Sequence, residues 1–276
     1  AMKLVNVIKR NEPERVQVGV QIRPNHVSWE TMKTAWLDCD ESGVDSIWTF
    51  DHFFPIDGDP EGSSFECWTT IASMAAVVKK AKIGTLVTCY AYRNINLLAD
   101  MARTVNHASS GRFILGLGSG WLDRDYEEYG YEKPRDAIRI EEMRKSIPLL
   151  QKRFTKLNPK PIGSIPILIG GLGQRLTLAV TASYADMWNG WGTPSEIQHL
   201  NNVLDSHCHK IERNPKEIER TVALFEYADD ETYDEYIAAG ATHLIVVLSG
   251  PFYDLSRLEA LLRWRDRKNN EIGRES

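Results

Sequence analysis

Eight short apolar runs, each followed by a segment with helical spacing, are the feature that most constrains the fold of this chain. The predicted strands are 16–22, 45–50, 83–87, 112–117, 165–169, 185–189, 221–227 and 244–248. In the segments between them, apolar residues recur every three or four positions, as on the buried face of a helix. Eight strand–helix units of about 29 residues each predict an α/β fold, the (β/α)8 TIM barrel, which takes about 250 residues.

Glycine spacing favours the closed barrel over an open, doubly wound parallel sheet. Glycines that can end a helix in the left-handed conformation precede three strands, at Gly43, Gly111 and Gly240. An open sheet would have Gly-x-Gly-x-x-Gly after the first strand, which instead leads into Ile22-Arg23-Pro24-Asn25. Glycines 116, 118 and 120 also lack that spacing, because residue 121 is tryptophan. We therefore predict a single barrel domain over residues 1–276, with a loosely ordered N-terminal extension at 1–15.

Several connections can also be predicted. Ser28 has the side chain and position of an N-cap for the first helix. A polar, acidic loop begins at Asp123, and a helix follows over 135–153, bent at Pro148. A further helix is expected over 174–183.

Composition excludes several classes of protein. The net charge is −5, so the chain lacks the basic surface that nucleic acid requires. No apolar stretch approaches the roughly 20 residues of a membrane span, and the N-terminus lacks the pattern of a signal peptide. The four cysteines form no Cys-x-x-Cys pair, which favours reduced thiols in a cytoplasmic protein. His207-Cys208-His209 is not expected to bind metal, because consecutive helical residues point about 100° apart.

The fourth predicted strand leads into a bend that is rich in glycine. The apolar run 113–117 continues into Gly118, Ser119, Gly120 and Trp121. Glycine leaves no Cβ in the way of a flat ligand, and barrels of this type place ligands at the carboxyl ends of their strands. We therefore predict that a planar cofactor lies against residues 118–121.

Two other strand ends carry reactive side chains. Asp51 and His52 close the second strand, where a carboxylate beside an imidazole suits acid–base chemistry, although the aspartate could simply cap the loop. Thr88 and Cys89 close the third strand, and both are predicted to contact the cofactor. Because buried cysteine usually behaves as a small apolar residue, we expect Cys89 to pack or to contact a ligand rather than to act as a nucleophile.

A phosphate site is predicted after the fifth strand. The segment there is Gly170, Gly171, Leu172, Gly173, Gln174 and Arg175, and it opens a helix. Free backbone N–H groups at a helix start bind phosphate, and glycines allow close approach, although a tight turn would need only one of them. Trp191 after the sixth strand and Glu226 near the end of the seventh are weaker candidates for substrate contact.

These motifs together resemble the luciferase-like oxidoreductases of the bacterial luciferase superfamily, in particular the branch that uses the deazaflavin coenzyme F420. The matching stretches occur in the family's order, at 43–53, 84–88 with 92–94, 110–121, 167–173 and 184–190. The resemblance implies a flavin or deazaflavin ring over the barrel mouth, its phosphate at 170–175 and His52 beside the ring. It also implies a non-prolyl cis peptide near Thr88-Cys89 and, since members are commonly dimers, a homodimer.

The reaction that the resemblance implies is hydride transfer between F420 and a small organic substrate, with His52, supported by Asp51, handling the proton. Arg23, Arg93 and Arg124 could contact the acidic tail of F420. An FMN-dependent monooxygenase and a non-catalytic flavin-binding protein are the alternatives. Two departures from the family leave the substrate open. Trp121 stands where the sugar-phosphate dehydrogenase branch has a carboxylate, and residues 152–164 form a shorter segment before the fifth strand than relatives have.

Overall fold

The computed structural model describes residues 15–275, without the side chain of residue 275. Residues 1–14 of the predicted N-terminal extension therefore lie outside the described part. The strands are β1 (Gln17–Ile22), β2 (Ser46–Thr49), β3 (Lys82–Thr85), β4 (Thr88–Cys89), β5 (Phe113–Gly118), β6 (Ile167–Gly170), β7 (Met187–Gly190), β8 (Glu219–Leu224) and β9 (His243–Leu248). The helices are α1 (Trp29–Glu41), α2 (Cys67–Val77), α3 (Ile95–Ala108), α4 (Asp123–Tyr129), α5 (Asp136–Phe154), α6 (Thr177–Tyr184), α7 (Pro194–Lys210), α8 (Asp230–Ala238) and α9 (Leu255–Glu275).

The strands close into one parallel barrel, which confirms the predicted (β/α)8 fold. Neighbouring strands follow the order β3-β2-β1-β9-β8-β7-β6-β5-β4, and an additional pairing of β3 with β5 closes the ring. β3 and β4 are two segments of the third barrel strand, because both pair with β5, through Ile83 opposite Phe113 and through Thr88 opposite Leu117. All carboxyl ends of the strands therefore meet at one mouth.

The interruption between β3 and β4 contains the non-prolyl cis peptide. It joins Leu86 to Val87, two residues before the predicted position near Thr88-Cys89. The carbonyl of Leu86 accepts a hydrogen bond of 2.7 Å from Nε2 of Gln21 on β1, which ties this segment to the barrel interior. Val87 lies between β3 and β4, at the mouth of the barrel.

Alternation along the strands divides the core into two layers. On β5, Phe113, Leu115 and Leu117 pack against the helices, whereas Ile114 points into the barrel. The interior layer also contains Trp48, Leu86, Leu168, Met187 and Ile245. Successive residues of a strand point to opposite faces, so one apolar run supplies both layers.

Most helix ends agree with the sequence, and the differences lie in the connections. Ser28 caps α1 through the N–H of Thr31, and Gly43, Gly111 and Gly240 have φ values of 81°, 84° and 99°. The acidic loop predicted from Asp123 is wrong, because residues 123–129 form α4. α5 continues through Pro148, α6 begins at Thr177 rather than at residue 174, and β8 ends at Leu224 rather than at residue 227.

Within residues 15–275, no helix combines the length and the apolar character that crossing a bilayer requires.

Candidate active site

A cavity of about 630 Å³ opens at the carboxyl ends of the strands. Most of its wall is apolar, from Phe50, Ile56, Leu86, Val87, Trp121, Trp191, Ala223, Phe225 and Val247. Its polar side chains come from separate strand ends and include Gln21, Arg23, Asp51, His52, Ser119 and Asn189. A concave, mostly apolar pocket with a few convergent polar groups is the usual form of a small-molecule site.

The predicted glycine bend and the start of the predicted phosphate segment meet in this cavity. Residues 118–121 line it, as do Gly170 and Gly171. A Cβ on Gly118 would lie 2.5 Å from Cγ2 of Val87, and one on Gly170 would lie 2.9 Å from Cγ1 of the same valine. These two glycines therefore make room for Val87, which itself forms part of the cavity wall.

The bend after β5 is held from outside the cavity by side chains of α4, of α5 and of the loop between them. Arg139, which is buried, donates to the carbonyl of Ser119 at 3.2 Å and to that of Gly120 at 3.0 Å. The hydroxyl of Tyr126 donates to the Ser119 carbonyl at 3.2 Å, and Nζ of Lys133 donates to the Trp121 carbonyl at 2.6 Å. Three side chains thus fix the backbone of a segment that has no regular structure.

His52 is paired with Asp125 and not with Asp51, which corrects the prediction from the sequence. Nδ1 of His52 lies 2.6 Å from Oδ2 of Asp125, whose carboxylate is fully buried. The same oxygen accepts from the Tyr92 hydroxyl at 3.1 Å, and Oδ1 accepts from the backbone N–H of Phe53 at 3.0 Å. Because a carboxylate only accepts, Nδ1 carries the proton and Nε2 of a neutral His52 remains a proton acceptor.

Asp51 lines the cavity too, but its carboxylate belongs to a buried ion pair. Its two oxygens accept from Arg93 at 2.6 and 3.0 Å, and Oδ2 also accepts from the N–H of Cys89 at 3.1 Å. Arg93 also donates to Glu66 at 2.6 Å. Burial opposes the charge of Arg93, but its hydrogen bonds to Asp51 and Glu66 outweigh that effect and raise the pKa of the guanidinium. Asp51 thus ties the end of the second barrel strand to the end of the third.

Thr88 and Cys89 differ in their access to the cavity. Cys89 lines it, and its Sγ lies 3.4 Å from the Tyr126 hydroxyl. Burial raises the pKa of the Cys89 thiol to about 11, so it is neutral at neutral pH. Thr88 is fully buried and, unlike its neighbour Cys89, does not line the cavity.

The predicted phosphate segment begins in the cavity wall and continues beyond it. The N–H of Gly171 donates to the Asn189 carbonyl at 3.1 Å, which joins the ends of β6 and β7. Within residues 15–275, the backbone N–H groups of Leu172, Gly173, Gln174 and Arg175 donate to no other residue. These residues do not line the cavity, and the side chain of Arg175 is exposed. The segment therefore presents a row of free donors beside the mouth.

The two candidates for substrate contact and the three arginines differ in where their side chains lie. Trp191 lines the cavity, but Glu226 is exposed outside it, and its neighbour Phe225 occupies the wall instead. The arginines proposed for an acidic tail all form ion pairs: Arg23 with Asp57 at 2.6 Å, Arg93 with Asp51 and Glu66, and Arg124 with Glu61 and Glu128 at 2.7 and 2.6 Å.

Sequence reasoning missed Asp125 and Val87, whereas it names Arg23 as a cation for the acidic tail of F420, and Arg23 lines the cavity. Asp125 carried a usable signal, because Leu122, Tyr126 and Tyr129 recur at helical spacing within the stretch interpreted as a loop. Val87 carried none, since its place in the mouth depends on the interruption of the third strand.

Comparison with known proteins gives relatives of two kinds. The chain is 25% identical over 209 residues to an F420-dependent glucose-6-phosphate dehydrogenase of Amycolatopsis mediterranei (strain U-32), covering 67% of this chain and 61% of that protein. It is 26% identical over 203 residues to the pyrimidine monooxygenase RutA of Agrobacterium fabrum, covering 64% of this chain and 55% of that protein. The chain thus spans less than two thirds of the length of these curated relatives.

Structural similarity extends over nearly the whole chain. An F420-dependent secondary alcohol dehydrogenase, solved in complex with an F420-acetone adduct, superposes with a TM-score of 0.80 at 15% identity, covering 90% of this chain and 98% of that one. At this identity the likeness shows a shared fold. The sequence model of the luciferase-like monooxygenases matches residues 16–270, which confirms the resemblance found in the motifs. The chain therefore belongs to the luciferase-like monooxygenase family.

Proposed function

We propose that this protein is an oxidoreductase that transfers a hydride between coenzyme F420 and a small organic substrate, with His52 as the acid–base residue. The observation that carries the proposal is the contact of 2.6 Å between His52 and the buried Asp125 in the wall of an apolar cavity. A histidine held by a buried carboxylate can take up or release the proton that accompanies hydride transfer. The names of an F420-dependent relative and an F420-dependent structural neighbour support the choice of coenzyme.

The residues of the mouth fit a deazaflavin or a flavin. Leu86, Val87 and Trp121 offer apolar surface to a flat ring, and the amides of 172–175 offer four donors to a phosphate outside the cavity. Arg175 would add a cation beside those amides. When bound there, a deazaflavin would supply two-electron hydride chemistry, which it favours over reaction with oxygen.

The side chains of this protein would contribute positioning and proton transfer. Asp125 keeps the proton of His52 on Nδ1, so Nε2 can accept a proton from a hydroxyl or return it to an alkoxide. The rings of Phe50 and Trp121 pack beside His52, at 5.0 and 5.3 Å between ring centres. Asp51, paired with Arg93, fixes the backbone N–H of Cys89. Catalysis would come mainly from holding donor and acceptor carbons in contact in this cavity.

One observation favours the second candidate, an FMN-dependent monooxygenase. F420 carries an acidic oligoglutamyl tail, and each of the three arginines considered for it already pairs with a carboxylate. FMN needs only the phosphate donors, and a relative that is a monooxygenase is also matched.

Separate titrations with F420 and FMN, followed by absorbance, distinguish these candidates. We expect stoichiometric binding of F420 and weaker binding of FMN; binding of FMN alone would refute the choice of coenzyme. H52A separates catalysis from binding. If H52A binds F420 normally but no longer oxidises reduced F420 with any carbonyl compound that the native protein reduces, His52 has the proposed role. If the native protein reduces none of a broad panel, the non-catalytic reading is favoured.

A further inference from the structure

Arg23 occupies a fixed position in the cavity wall that the proposed hydride transfer does not use. It follows directly after β1 and lines the cavity, with only 11% of its side chain exposed. Its guanidinium lies 5.7 Å from the ring centre of Phe50 and 5.7 Å from that of Phe225. Contacts with two aromatic rings and with Asp57 hold the group in place without any ligand.

The hydrogen bonds of Arg23 leave one nitrogen available. Nη1 donates to Asp57 at 2.6 Å and to Ser249 at 3.4 Å, and Nε contacts Oε1 of Gln21 at 3.4 Å. Nη2 donates to no residue within 15–275, and it is not among the buried polar atoms that lack a partner. It therefore keeps accessible surface and can donate to a bound molecule.

The charge around Arg23 indicates what kind of oxygen it would bind. Asp57 compensates the positive charge at 2.6 Å. Because Nη1 is already used, the two-point fork that recognises carboxylate or phosphate is incomplete. One free nitrogen beside a compensated charge suits a neutral carbonyl oxygen better than an anion.

Phe50 connects this donor to the proposed acid–base residue. The Phe50 ring centre lies 5.0 Å from that of His52, and the guanidinium of Arg23 lies 5.7 Å from the same Phe50 ring centre. A molecule that lies along Phe50 can therefore meet His52 with one substituent and Arg23 with another.

We infer that Arg23 is a specificity-determining residue, and that the substrate is an apolar compound with a neutral carbonyl oxygen in addition to its reacting carbon. Arg23 donates from Nη2 to that oxygen while His52 serves the reacting group. This inference rests on the proposed function only for the position of the reacting carbon beside His52.

Three probes of matched shape test the inference by calorimetric titration, with and without saturating F420. They are 1,4-diacetylbenzene, 4-isopropylacetophenone and 4-acetylbenzoate, which place a neutral acceptor, no acceptor and an anion on the same aromatic ketone. We expect 1,4-diacetylbenzene to bind about tenfold more tightly than the isopropyl compound, the usual effect of one hydrogen bond to a charged donor. The carboxylate should gain no such advantage.

R23M should abolish the tenfold difference, and R144M, which alters an arginine on the outer helix α5, should preserve it. R23M leaves Asp57 without its cation, so the double variant R23M/D57N provides the same test in a protein with no uncompensated carboxylate. Three results would overturn the inference. They are a tenfold difference in affinity that persists in R23M and R23M/D57N, tightest binding of 4-acetylbenzoate, and no binding of any probe to the native protein. If F420 fails to bind but the difference depends on Arg23, the proposed coenzyme is wrong and the assignment of Arg23 stands.

Discussion

Replacing Asp125 with asparagine should change the tautomer of His52. The substitution keeps the shape of a fully buried side chain whose Oδ2 accepts from His52 and Tyr92. An asparagine can still accept from Phe53 through Oδ1, but its NH2 group donates where the carboxylate accepted. His52 can satisfy this donor only by giving up the proton on Nδ1, and its proton then resides on Nε2.

The expected magnitudes follow from these contacts. His52 can adapt by changing its tautomer, whereas the Tyr92 hydroxyl loses its acceptor and faces another donor. One unsatisfied buried donor costs about 1–3 kcal/mol, so D125N should lose that much free energy of unfolding. Because a protonated Nε2 cannot act as a base, the rate of any alcohol oxidation should fall by about 10²-fold or more.

Nitrogen-15 NMR of histidine-labelled protein measures the tautomer directly and requires no substrate. The chain has seven histidines, so H52Q identifies the signal. We expect the Nδ1–H form in the native protein and the Nε2–H form in D125N. E127Q, which alters an exposed carboxylate on the same helix, should leave both the tautomer and the stability unchanged. An Nε2–H tautomer in the native protein, or no change in D125N, would refute this account of the pair.

Three further predictions concern the residues around the cavity. Burial raises the pKa of the Cys89 thiol from 9.0 to about 11, so the protonated thiol stabilises the fold fully below pH 9, and this stabilisation is lost as the pH rises through 11. In urea titrations between these pH values, C89A should therefore lose about 2–3 kcal/mol less free energy of unfolding than the native protein. Native Cys89 should also resist iodoacetamide at pH 8. G118A should lose about 1–3 kcal/mol by contact with Val87, and denaturation of the G118A/V87A double variant should show partial recovery. R93M should lose about 3–5 kcal/mol of free energy of unfolding, because it leaves the buried Asp51 carboxylate without its cation, and R93M/D51N should lose less. Equal losses in the two variants would contradict the ion pair.

The fold was predictable because its signals are local. Apolar runs and capping residues such as Ser28 and Gly43 depend on a few neighbouring positions, and the strand–helix unit repeats eight times around the barrel. The third strand was predicted without a break, and the cis peptide lies two residues before the position that the resemblance implied. The contacts around it are the hydrogen bond from Gln21 to Leu86 and the close approach of Gly118 and Gly170 to Val87. Those contacts join residues that are far apart in the chain.

The partners of the site residues were harder to predict than their positions. Asp51 and His52 are adjacent at the end of an extended segment, where consecutive side chains point to opposite sides. Asp51 therefore meets Arg93, and His52 meets Asp125, which lies 73 positions away in the sequence. The predicted pairing of Asp51 with His52 followed proximity in the chain and neglected this alternation. Glu226 lies on the surface, because β8 ends two residues before it.

A crystal structure of the protein with F420 bound would test the central claim most directly. The account predicts the deazaflavin ring in contact with Val87 and facing Nε2 of His52, with its phosphate bound by the amides of residues 172–175. A ring bound outside the barrel mouth, or a phosphate that contacts none of these amides, would contradict it.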